Sequence, residues 1–82
     1  MWIRSQDKDV LIDVNYINIF DIMGAPQIRA NRGVYLGKYS TKEKALKVLQ
    51  LISNFINEQE YHKVLGYSQD YYVYEMPLDD EV

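Results

Sequence analysis

The alternation of apolar and polar positions divides the chain into seven elements. Residues 2–5 form a short apolar-rich run, and Gln6-Asp7-Lys8-Asp9 is a polar turn signal. In 10–14, Val10, Ile12 and Val14 share one face, with Leu11 and Asp13 on the other. The two runs predict a hairpin. Asn15 breaks the pattern, and 16–22 predicts a third strand, dense in β-branched and aromatic residues. Met23-Gly24-Ala25-Pro26 reads as a turn or loop. Residues 27–30 and 34–39 flank Asn31-Arg32-Gly33, a hairpin loop whose Asn and Gly tolerate positive φ.

Ser40 followed by Glu43 predicts a capping box. Behind it Ala45, Val48, Leu49, Ile52, Phe55 and Ile56 recur at helical spacing, one apolar stripe of a helix over 41–59. Residues 61–69 read equally as a last helical turn or a loop, and 71–76 is strand-like up to Pro77. The order β-β-β-β-β-α-β predicts an α+β fold: a curved antiparallel sheet of about five strands, joined by a sixth, around one long amphipathic helix. Residues 1–78 are expected to form a single domain and 79–82 a mobile acidic tail. The expected core is Trp2, Val10, Ile12, Ile19, Val34, Leu36 and the helix stripe from Ala45 to Ile56.

At 82 residues and 48% apolar content the chain suits one small globular domain. It contains no cysteine, which excludes disulfides and thiolate chemistry and favours a cytoplasmic home. The first residues lack the apolar run of a signal peptide, and no stretch is long and apolar enough for a membrane span. The single His62 has at most one weak partner for a metal site, Glu58 at i−4, and no phosphate-binding, hydrolase or dinucleotide motif occurs. The carboxylates cluster on the 7–9 turn and the tail, where water keeps them ordinary, so catalysis and cofactors are not expected.

Charge is segregated. Residues 22–56 carry Arg29, Arg32, Lys38, Lys42, Lys44 and Lys47 against one acid, whereas 57–82 is acidic; the net charge is −3. The acidic total argues against general nucleic-acid coating. Arg29, Arg32, Lys38, Lys42 and Lys44 are the candidates for a basic edge facing an acidic protein or a small anion such as a nucleotide. Lys42 and Lys44 sit in the first helical turn, where the dipole disfavours them; they are either a hydrated pair or a functional one. Tyr71, Tyr72 and Tyr74 are the second candidate group, as a protein interface or as a strand with one buried face. Short sheets leave open edges, so a homodimer through a sheet edge or the aromatic face is expected, with Pro26 and Pro77 guarding two strand ends.

The block Trp2-Ile3-Arg4-Ser5-Gln6-Asp7-Lys8, the block Leu36-Gly37-Lys38-Tyr39 with Thr41-Lys42-Glu43-Lys44-Ala45-Leu46-Lys47-Val48-Leu49, and the ending Tyr74-Glu75-Met76-Pro77 resemble a group of short proteins of Gram-positive bacteria and their phages. The resemblance implies a phage or mobile-element setting but no activity or catalytic residues. By analogy of setting, a host protein, such as a defence-system component, is the expected partner.

Overall fold

A computed structural model of the chain describes residues 1–64 and 72–82, and among these the side chains of all but 59–64. Six strands and one helix follow the expected order: β1 (Trp2–Arg4), β2 (Leu11–Asp13), β3 (Ile17–Ile22), β4 (Ala25–Ala30), β5 (Val34–Lys38), α1 (Lys42–Val64) and β6 (Val73–Glu75), then a 3-10 turn (Asp79–Glu81). The fold is α+β.

The strands do not form one sheet. They make two of three strands each, ordered β2-β1-β6 and β3-β4-β5. Asn31 accounts for the division. Its Oδ1 accepts the Asn15 and Tyr16 N–H groups at 2.9 and 3.3 Å, and its Nδ2 donates to the Asp13 carbonyl at 3.1 Å. The chain leaving β2 therefore bonds to a side chain of the β4–β5 turn and is redirected into the second sheet. Asn31 has φ of 54° and Gly33 of 97°, the positive values anticipated for this loop. The returning strand β6 pairs with β1 in parallel, an arrangement that requires a long crossover.

Three local readings are corrected. Ala25 and Pro26 belong to β4, a central strand, so Pro26 guards no edge. Its carbonyl accepts the Tyr39 N–H at 2.9 Å, and only the return bond that proline cannot donate is missing. The helix cap is Thr41, whose Oγ1 accepts the Lys44 N–H at 3.1 Å. Ser40 instead donates its N–H to Asp79 Oδ1 at 2.8 Å, so the acidic tail is docked on the helix start.

The core holds Ile3, Ile28, Ala30, Leu36, Tyr39, Ala45, Val48, Ile52 and Met76, all essentially inaccessible. Leu36, Ala45, Val48 and Ile52 were expected there. Trp2 and Ile56 were too, but they are 43% and 42% exposed. In β1 the pleat turns Ile3 inward opposite Ile12 and Tyr74, which sends its neighbours Trp2 and Arg4 outward. On the helix, Phe55 takes the contact, meeting Tyr74 edge-on at 5.3 Å, and Ile56 falls on the open side. A bulge in β5 pairs Ile28 with Gly37 and Arg29 with Tyr35, leaving Leu36 as the extra residue. Leu36 and Gly37 are consequently both buried, against simple alternation.

Candidate functional site

Alternation in β4 buries Pro26, Ile28 and Ala30 and turns Ala25, Gln27 and Arg29 to the opposite face. Cross-strand partners share a face, so Asn18, Phe20 and Ile22 of β3 and Tyr35 and Lys38 of β5 join them. This outer face carries apolar groups on the side that alternation shares with the polar Asn18. Phe20 is 47% exposed and Ile22 38%, and at the ends of the strand Tyr16 and Met23 are more exposed still.

At its centre the Arg29 guanidinium lies 4.9 Å over the Phe20 ring. Both Nε and Nη2 donate to Gln27 Oε1, at 3.1 and 2.9 Å. The cation is thus fixed on two sides by neighbours on its own sheet. A guanidinium held on an aromatic ring is preorganised for a carboxylate, a carbonyl or a second aromatic group, because little side-chain freedom is lost on binding.

Of the other basic candidates only Lys38 shares the face of Arg29, opposite Gln27 and diagonal to the guanidinium's own position. Arg32 is exposed in the turn at one end of the β4–β5 hairpin, and Lys38 is exposed at the far end of β5. Five strand residues separate these ends by on the order of 15 Å. Lys42 is exposed on the first helical turn. Lys44 is held by the tail: its Nζ donates to the Asp79 main-chain carbonyl at 3.0 Å and lies 3.6 Å from the carboxylate. The Ser40 backbone N–H holds the Asp79 carboxyl below the usual carboxylate range, with Lys44 adding to the effect. The helix N-terminus therefore has an anion of its own, and Lys44 is neutralised rather than available.

Lys38, Ser40 and Asp79 line an open cleft of about 290 Å³ with Gly24, Ala25 and Tyr39. Tyr39 is committed to a structural bond there. Its hydroxyl donates to the Pro77 carbonyl at 2.7 Å, and burial drives its pKa far up, with the nearby Tyr74, Tyr35 and acids adding to the shift.

Of the tyrosine candidates, Tyr71 lies outside the described residues. Tyr72 is 43% exposed, whereas Tyr74 is half-buried against Phe55, and burial raises its pKa. The strand β6 thus has a packing role at Tyr74, and Tyr72 precedes it. Among the described residues no group of three or more histidines or carboxylates could hold a metal ion, and no helix is long and apolar enough to cross a membrane. No protein-family model, curated protein or solved structure matches the chain.

Sequence reasoning singled out Arg29 but missed Phe20, Ile22, Gln27, Tyr16 and Met23. One signal was present: Phe20 and Ile22 share alternation parity with the polar Asn18, not with Ile17 and Ile19. A half-buried strand with apolar residues of both parities carries more hydrophobic surface than one core can cover.

Proposed function

We propose that the chain is a small non-catalytic binding protein of a phage or mobile element, which docks on a bacterial host protein in the cytoplasm and modulates or inhibits it. The observation that carries the reading is Arg29 fixed over Phe20 on the open face of the β3-β4-β5 sheet, with Ile22 beside it. Buried arginine and aromatic anchors dominate binding energy at protein interfaces, and exposed apolar groups on an ordered sheet supply the surrounding contact. By analogy of setting, the resemblance of the Trp2–Lys8 block, the Leu36–Tyr39 block with Thr41–Leu49, and the Tyr74–Pro77 ending to short proteins of Gram-positive bacteria and their phages supports a host protein, such as a defence-system component, as the partner class.

The other reading, a small anion or nucleotide at the basic edge, draws less support. The cleft that Lys38 lines also contains the Asp79 carboxylate, which would repel the anion.

The test is affinity capture from host lysate with the wild-type chain, followed by direct binding to the captured protein. Phe20→Ala with Arg29→Glu should weaken that binding at least tenfold, while Arg32→Glu at the far turn should change it little. Circular dichroism confirms that the variants fold. Binding that survives the paired change unaltered would remove this face from consideration.

A further inference from the structure

We infer that β3 is an intermolecular edge: two copies of the chain pair antiparallel through Ile17–Ile22 about a two-fold axis at Ile19. The two β3-β4-β5 sheets then become one six-stranded sheet. This goes beyond the partner reading and does not depend on it, since edge pairing leaves the outer face open.

The hydrogen-bond register carries the inference. The Tyr16 carbonyl accepts the Asn31 N–H at 2.7 Å, so Tyr16 directs its main-chain groups at β4. Antiparallel pairing alternates, so Asn18, Phe20 and Ile22 do the same, and Ile17, Ile19 and Asp21 point theirs away from the sheet. Among the described residues nothing pairs with that outer side, because β3 is the edge of its sheet. An unpaired edge of this length is normally protected by lysine, proline, a bulge or a very short strand. Ile17-Asn18-Ile19-Phe20-Asp21-Ile22 has no lysine or proline, its one charge is Asp21 near the end of the strand, and the register shift in this sheet lies between β4 and β5.

A second copy fits the edge in one register better than in its neighbours. With the axis at Ile19, Ile19 faces its own counterpart and Ile17 faces Asp21 of the second copy, so all three outward residues exchange both bonds. Moving the axis to Phe20 pairs Ile17 with Met23, which has φ of 51° and belongs to the turn. Moving it to Asn18 pairs Asp21 with Asn15, which lies before the strand. Each shift forfeits main-chain bonds. An axis normal to the sheet also preserves faces: Ile19 meets Ile19 on the helix side, and Asn18 lies opposite Phe20 of the second copy on the outer side. The two Asp21 carboxylates fall at opposite ends of the seam, so pairing brings no like charges face to face.

Light scattering at high micromolar concentration should give twice the 9.7 kDa chain mass. A strict monomer there overturns the inference. Asn18→Lys with Phe20→Lys places lysines opposite one another across the seam and should raise the dimer dissociation constant at least tenfold, with the circular dichroism spectrum retained. A folded variant that dimerises as before also overturns it. Should that variant fail to fold, cysteines read the register in the cysteine-free chain. Differently tagged Asn18→Cys and Phe20→Cys chains, mixed and oxidised, should cross-link to each other well above the level of an Arg32→Cys control. Cross-linking no greater than the control, or each variant cross-linking chiefly to itself, sinks the proposed seam.

Discussion

The side-chain amide of Gln6 closes a two-bond ring with the main chain of Lys38, a residue 32 positions away. The Lys38 N–H donates to Gln6 Oε1 at 3.0 Å, and Gln6 Nε2 donates to the Lys38 carbonyl at 3.1 Å. An amide side chain offers the same donor and acceptor as a peptide group, so Gln6 extends strand pairing along the edge of β5. Its own N–H donates to the carbonyl of the bulged Leu36 at 2.6 Å, and Nε2 also reaches the Pro77 carbonyl at 3.1 Å. One residue thereby joins the end of β1, the edge of the second sheet and the C-terminal segment.

Gln6→Ala should therefore cost about 1–3 kcal/mol in urea denaturation, the range for stranding partly buried polar groups. Gln6→Glu should cost more at neutral pH. A carboxylate can still accept from Lys38 but faces two carbonyls with no proton to donate. That carboxyl would titrate above the ordinary glutamate value in the folded state, so the added cost should shrink as pH falls through that raised value. Equal destabilisation by the two variants at every pH would contradict the bridging role.

Gly37 lies under the same junction. A Cβ there would stand 3.3 Å from both Gln6 Cβ and Tyr39 Oη, and those neighbours are held by the bonds to Lys38 and Pro77. Gly37→Ala should destabilise by about 1–3 kcal/mol through overpacking, and thermal denaturation would measure it. Little change would mean that Tyr39 can shift at low cost.

Asp79 gives the fold a pH dependence with a definite sign. Its folded carboxyl titrates below the ordinary value, so its contribution is fully present above the unfolded pKa of roughly 3.9 and disappears as pH falls through the depressed folded value. The wild type should melt above Asp79→Asn at neutral pH, and the gap should close in acid. A gap independent of pH down to about 2 would show that charge at Asp79 does not contribute.

Ile52 is 2% exposed in the middle of the helix stripe. Ile52→Ala should cost roughly 2–5 kcal/mol in chemical denaturation. Ile56→Ala, one turn further on and 42% exposed, should cost well under half as much. Equal losses at the two positions would place both in the core.

Local information carried the element order, the Asn31–Gly33 loop and the buried positions Ala45, Val48 and Ile52, because period and turn chemistry act over a few residues. The basic candidates were legible as residue types, but only Arg29 acquired a fixed geometry, from Phe20 and Gln27 on its own sheet. Lys44 looked exceptional in sequence because its counter-charge, Asp79, is 35 residues away. Tertiary structure decided the division into two sheets, the outward Trp2, the docked tail and, among the described residues, the unpaired edge of β3. The first three rest on partners distant along the chain: Asn31 with Asp13 and Asn15, Ile3 with Tyr74, and Ser40 with Asp79, 39 positions apart. A pattern of period two or 3.6 fixes which side of an element is apolar. Which neighbour covers that side, and which edge is left without one, is fixed only when the chain closes on itself.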